Sequence, residues 1–291
     1  MSASSRRSVF YSQNFLKDPC LVAFLLNQSS LERDDVVYEI GPGKGIITKQ
    51  LALRYREVVA IEKDPHLAER LQRDLASWPN VTIHQGDFLC YSLPQQLYKL
   101  FANIPFNITS AIVTKLTTAL CPPDDAYLIM QQEAAKMFLG EPGESLRSIL
   151  LKPWFELAIV HRFERRDFTP APRVDVVLLR LRKRGPPLIQ GMDRQRFRDF
   201  VVHSFTTWPP APASPLRDVF TRQQRKYIQH TLGIVLDGTP TSLAFEQWLN
   251  LFKYFLTVGN KQAERLIAGS EQRLILQQNS LQKIHRTRQN R

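Results

Sequence analysis

Val36-Val37-Tyr38-Glu39-Ile40-Gly41-Pro42-Gly43-Lys44-Gly45 is a β-rich run that breaks at a glycine turn, and Ile46, Ile47 and Leu51 behind it are spaced for a helix face. Strand, glycine turn and helix in that order predict an open α/β sheet. The glycines let the backbone turn sharply and approach a ligand closely, and the helix N-terminus behind them favours polar or negative groups. The turn alone is a weak signal and fits an ordinary tight connection. Its spacing from Gly41 to Lys44, with no Ser or Thr after the lysine, excludes a phosphate-gripping nucleotide loop. G-x-G-x-G in place of G-x-G-x-x-G also speaks against a dinucleotide fingerprint.

Downstream the alternation repeats. Val58-Val59-Ala60-Ile61 reads as a second strand ending at Glu62, an acid placed to accept both hydroxyls of a ribose. The plainer reading of Glu62 is a solvated carboxylate paired with Lys63. Leu67 to Leu75 is amphipathic and helical, and Val81-Thr82-Ile83-His84 is a third strand leading into Gln85-Gly86-Asp87-Phe88. Asp87 there can accept a hydrogen bond from an adenine amine. Tyr98 to Ala102 makes a fourth strand and delivers Asn103-Ile104-Pro105-Phe106, with Asn107 behind it. An Asn amide oxygen, two backbone carbonyls made accessible by a proline, and an aromatic face suit a planar exocyclic amine. Such strand ends are where an open α/β sheet places its ligands, and the set of them is more specific than any one member.

The flanks are read more coarsely. Residues 1–11 form a flexible basic arm, followed by Ser12-Gln13-Asn14-Phe15 and a helix-spaced run from Leu21 to Leu26. Thr109 to Leu120 is helical, Ala126 to Met130 a fifth strand, and Gln132 to Leu139 a helix; Leu146 to Phe163 gives further helix or strand. Phe168-Thr169-Pro170-Ala171-Pro172-Arg173-Val174-Asp175 is a rigid extended segment feeding a strand from Val176 to Leu181. Residues 12–181 are thus one domain. A linker at Arg182 to Pro187 opens a helical domain, 182–268, in which Trp208, Phe220, Trp248, Phe252 and Tyr254 are expected in the core. The basic tail, 269–291, is expected to be disordered.

Of 291 residues 43% are hydrophobic, which is ordinary for a protein with a real core, and no apolar run is long enough to span a bilayer. A cytoplasmic location is expected. Cys20, Cys90 and Cys121 are too few and too scattered for a disulfide framework or a zinc site, and are expected as reduced, part-buried thiols. A net charge of +12 fits a polyanionic partner, although charge alone also fits nonspecific binding or simple solubility.

Ser12-Gln13-Asn14-Phe15, Glu39 to Gly45, Gly86-Asp87, Asn103 to Asn107 and Phe168 to Asp175 together resemble the ribosomal RNA adenine N6-dimethyltransferases. The resemblance covers residues 12–181 closely and the helical remainder in outline. It implies an α/β fold, a Rossmann-like class I methyltransferase sheet with a smaller all-α C-terminal domain, with S-adenosyl-L-methionine as methyl donor and ribosomal RNA as partner. No membrane and no metal are implied, and a monomer is expected. Gln13, Asn14, Leu16, Gly41, Gly43, Glu62, Asp87 and Asn103 fall at or near the family's cofactor contacts. Asn103, Ile104, Pro105 and Phe106 fall on its catalytic tetrapeptide. Ser12, Lys44, Ile104 and Phe106 look like the Erm branch, which methylates a 23S large-subunit adenine and confers resistance to macrolides, lincosamides and streptogramin B. The alternatives are a housekeeping small-subunit (16S) dimethyltransferase, a non-catalytic nucleic-acid-binding protein on the same scaffold, and a DNA adenine or glutamine methyltransferase. The last is disfavoured by Ile104 where a first proline is usual. Arg162, Arg165, Arg166, Arg182, Lys183 and Arg184 are the candidate RNA contacts, each weighed against a merely solvated surface charge.

Overall fold

A computed structural model describes residues 14–207, 216–236 and 239–289. The described chain divides into two units. The first takes the residues up to Ala135 together with Glu156–Lys183, and the second takes Lys136–Phe155 and the residues from Arg184 onward.

The first unit holds strands β1 (Phe15–Leu16), β2 (Val36–Ile40), β3 (Glu57–Glu62), β4 (Val81–Gln85), β5 (Lys99–Asn103), β6 (Asp125–Gln131), β7 (Phe155–Phe163), β8 (Phe168–Thr169) and β9 (Val176–Lys183). Helices α1 (Pro19–Asn27), α2 (Ile46–Ala52), α3 (Pro65–Asp74) and α4 (Thr109–Thr118) lie between them, and α5 (Gln132–Leu139) leads out of it. Seven strands form one sheet in the order β4-β3-β2-β5-β6-β9-β7. β4 through β6 are parallel, and β9 runs antiparallel to β6. Strand order reverses between β2 and β5, so the crevice that such a reversal opens lies beyond their carboxyl ends.

Local chemistry explains the elements. All five residues of β2 are buried, as expected of a central parallel strand covered on both faces. Asp18 and Asp64 cap α1 and α3, each followed by a proline in the first helical turn. Val22, Leu25 and Leu26 of α1 and Ile47 and Leu51 of α2 pack with Val37, Val58, Phe101 and Ile129 of the sheet. β7 alternates exposed Ala158, Val160 and Arg162 with more covered neighbours, the pattern of a half-buried edge strand. β9 runs on to Lys183, so the strand continues through the start of the expected linker.

The second unit contains α6 (Leu146–Leu151), α7 (Arg194–Thr207), α8 (Arg222–His230), α9 (Phe245–Val258), α10 (Lys261–Ile267) and α11 (Ser270–Gln289). Its core is aromatic, with Phe197, Phe200, Phe220, Trp248, Phe252 and Phe255 buried. Tyr254 is only half-buried, and Trp208 lies outside the described residues. The expectation of a disordered tail is corrected over Ser270–Gln289, which is helical. Buried Asp199 of α7 accepts hydrogen bonds from the main-chain N–H groups of Gly269 (3.0 Å) and Glu271 (2.9 Å). Arg198 pairs with Glu271. The cap comes from a distant helix, so no local sequence signal announces it. The cysteines also differ from expectation: Cys20 and Cys90 are exposed and Cys121 is partly covered. Among the described residues no helix is long and apolar enough to cross a membrane.

Candidate functional site

Strand register brings the polar strand ends level. Ile40 stands beside Ile61 and Glu62 beside Gln85, while Tyr38 stands beside Leu100. Running these registers forward sets Gly41, Glu62 and Asn103 along one rim, with Gly86 and Asp87 one step beyond β4. A Cβ added to Gly41 would stand 4.0 Å from the Pro105 ring, so the glycine turn and the tetrapeptide are neighbours.

The glycine turn is bolted to the acid of the next strand. The Gly43 N–H donates to Glu62 Oε2 at 3.0 Å and the Asp64 N–H donates to Oε1 at 2.9 Å. Each carboxylate oxygen keeps a second lone pair, enough for two ribose hydroxyls. Glu62 is only 1% exposed, so a ribose reaches it only when a covering group shifts. Behind it Glu39, also 1% exposed, accepts from Thr48 Oγ1 at 2.7 Å. Burial pushes the Glu39 carboxyl up to about 8, with the neighbouring Glu62 charge adding to the effect and the Thr48 bond opposing it. The pair therefore holds a proton on Glu39 at neutral pH. Sequence reading passed over Glu39 as a site residue; the signal was an acid inside an otherwise apolar strand.

Asp87 accepts from Lys63 Nζ at 2.8 Å and from the Leu89 N–H at 2.9 Å. The Lys63 hydrogen bond, helped by the Leu89 N–H, holds its carboxyl below the usual range, so it is an ionised acceptor. The plainer reading paired Lys63 with Glu62; the structure gives Lys63 to Asp87 instead.

The N-terminal motif reaches the rim through a clasp. β1 and β8 pair antiparallel, Phe15 with Thr169 and Leu16 with Phe168, and the Lys17 N–H donates to the Asp167 carbonyl at 3.1 Å. The clasp lays Phe15 against Gly43, where an added Cβ would stand 2.4 Å from the ring. Lys44 Nζ lies 5.3 Å from the centroid of the same ring. Leu16 turns its side chain into the core at 4% exposure, so only its main chain can face a ligand. Gln13 lies outside the described residues.

Asn103 ends β5 with its amide fixed. Its Nδ2 donates to the Asn14 carbonyl at 2.7 Å, and the amide geometry then aims Oδ1 elsewhere as an acceptor. Of the two backbone carbonyls expected to receive an amine, that of Pro105 already accepts from the Ile108 N–H at 3.2 Å, closing a 3₁₀ turn over Phe106–Ile108. This favours the Ile104 carbonyl. The Phe106 ring is half-buried against the core, leaving part of it uncovered.

The candidate RNA contacts separate. Arg162 reaches Gln132, just past the end of β6, and Arg165 and Arg166 follow β7, paired with Asp175 and Glu164. Arg182 stands opposite Asp125, and Lys183 bonds to Asp124. Asp125 pairs in turn with Lys99 at the start of β5, about 13 Å along the strand from Asn103. β9 runs antiparallel to β6 and so carries Arg182 and Lys183 to the end of the sheet opposite Asn103, apart from the other three. Arg184 donates to the Lys152 carbonyl at 2.8 Å within the second unit.

Sheet order, the reversed strand β9 set between β6 and β7, and a glycine turn facing an acid on the next strand define the class I S-adenosylmethionine-dependent methyltransferase fold. The family model for ribosomal RNA adenine dimethylase matches residues 4–257, and the chain belongs to that family. An rRNA adenine N-6-methyltransferase of Saccharopolyspora erythraea is 34% identical over 245 residues, covering 84% of this chain and 64% of that protein. A probable ribosomal RNA small subunit methyltransferase A of Methanopyrus kandleri is 36% identical over 172 residues, covering 58% of this chain and 61% of that protein. The matches thus span less than two thirds of either relative's length. Among solved structures, the 23S rRNA methyltransferase ErmE superposes with a TM-score of 0.74 at 32% identity, over 83% of this chain and 99% of that one.

Proposed function

We propose that the protein transfers a methyl group from S-adenosylmethionine to the N6 amine of one adenine in 23S ribosomal RNA, in the cytoplasm, and so confers macrolide-lincosamide-streptogramin B resistance. The observation that carries this is Asn103: an amide whose N–H side is occupied by Asn14 leaves its oxygen for a donor at the rim of the crevice. Family membership and the similarity to ErmE support the reaction class and the large-subunit target.

The residues fit the donor. Glu62 would take the ribose hydroxyls, Asp87 the adenine amine, and the main chain of Gly41 to Gly45 the methionine end. When bound, the donor supplies an electrophilic methyl on a sulfonium. The protein's own part is to prepare the acceptor. An adenine N6 lone pair is delocalised into the ring and is a poor nucleophile. Oxygen acceptors from the Asn103 side chain and the Ile104 carbonyl, set on the two amine hydrogens, favour a pyramidal nitrogen and stabilise the positive charge that develops there. Phe106 stacks on the extruded base, contributing ~1–3 kcal/mol. Alignment supplies the remainder, and the proton leaves to water.

Primer extension on large-subunit RNA from cells expressing the protein tests this: one new stop at an adenine is expected, and an unchanged ladder would contradict it. A second reading, methylation of small-subunit RNA, is favoured by the similarity to the Methanopyrus kandleri protein. Offering the two subunit RNAs separately with labelled donor discriminates them by which one gains label.

A further inference from the structure

In the second unit three aromatic rings step outward from the core. Phe220 is buried; Tyr254 lies 5.8 Å from it between centroids, and Tyr227 lies 4.9 Å further on, within 14° of parallel to Tyr254. Tyr227 is 44% exposed. A ring kept for packing gains little where nearly half of it stays in water, and the outermost ring continues the series toward solvent. Around it the surface is cationic and polar. At 3.6 residues per turn, Arg222, Lys226, His230, Gln223 and Tyr227 share one arc of α8, and all five are exposed. α8 carries no Asp or Glu, and among the described residues neither Arg222 nor Lys226 meets a carboxylate. Lys253 is exposed beside Tyr254, and the acid of α9, Glu246, stands two turns back along the helix.

Cations flanking a flat, open ring match a strand of nucleotides, whose phosphates want charge and whose unstacked bases want a π face. An apolar protein partner or a membrane interior would want apolar neighbours on the same arc, and there are none. We propose that this face docks single-stranded RNA, one base extending the stack on Tyr227 and the adjoining phosphates lying along Arg222 and Lys226. This deepens the proposed function and rests on RNA being the substrate. It gives the second unit a grip on RNA independent of the chemistry at Asn103.

Fluorescence anisotropy with a labelled single-stranded RNA, and with the same sequence as a duplex, tests it. Tyr227→Ala is expected to weaken single-strand binding about 5- to 160-fold and to leave duplex binding unchanged, because duplex bases are already stacked. Tyr227→Phe should bind as wild type does. The double variant Arg222→Gln/Lys226→Gln should lower the slope of log Kd against log salt by about 1.4. Wild-type single-strand affinity in a folded Tyr227→Ala protein, equal losses on both RNAs, a Tyr227→Phe loss as large as that of Ala, or an unchanged slope would each overturn the proposal. A wild type that methylates ribosomal RNA while Tyr227→Ala binds normally removes the docking surface alone. A wild type that methylates no ribosomal RNA removes the function beneath it as well.

Discussion

Glu39 sits inside a strand of apolar and aromatic residues and faces the acid that would hold a ribose. Its raised pKa has a definite sign in stability. The folded state keeps the Glu39 proton up to about 8, whereas the unfolded chain releases it near 4.5, so the folded state binds more protons between those values. The stabilisation is full below the lower value and is lost as pH rises through the upper. Urea unfolding across that window should show stability falling by up to about 1.4 kcal/mol per pH unit. Glu39→Gln should flatten the slope; equal slopes in the two proteins would show that Glu39 does not set it. At this scale the sequence was legible where a polar residue lies at or just past the end of a strand, as at Asn103 and Asp87. It was not legible where meaning depends on a partner. Nothing in the letters gives Lys63 to Asp87, or aims the Asn103 N–H at the Asn14 carbonyl.

The clasp of β1 on β8 shows what an element adds to a motif. Phe168-Thr169 reads in sequence as a stiff approach to a strand, but in the fold it holds the N-terminal motif so that Phe15 covers Gly43. Gly43 has φ +56°, and a side chain there would meet the Phe15 ring. Gly43→Ala should therefore cost about 1–2 kcal/mol in backbone strain and push Phe15 off the turn. Titration with S-adenosylhomocysteine should show weakened binding, and wild-type affinity would show that the clasp does not shape the donor site. α11 teaches the converse, since a tail of polar composition folds because Asp199 caps it from α7. Asp199→Ala should cost about 0.5–2 kcal/mol and speed amide exchange at Gly269 and Glu271. Unchanged protection there would mean that the helix holds without its cap.

At the scale of the whole molecule, the order of strands and the division of the chain were the least legible. Hydrophobic runs announced six of the seven strands of the large sheet, and β7 remained ambiguous between helix and strand. They did not announce that β9 would enter antiparallel and take Arg182 and Lys183 to the far end, because strand direction depends on connections rather than on local pattern. Nor did composition mark 136–155 as part of the helical unit. Charge is the property read most directly at this scale. With a net +12, RNA binding should weaken steeply with salt, log Kd rising linearly with log salt concentration. A flat response would argue against phosphate contacts as the main source of affinity.

In the proposed reaction the oxygen of Asn103 receives the amine being methylated. A single-turnover assay of Asn103→Ala on ribosomal RNA, with donor affinity measured alongside, tests it most directly. The expected result is methyl transfer slowed about 100-fold with donor affinity far less affected. Transfer at the wild-type rate would contradict it.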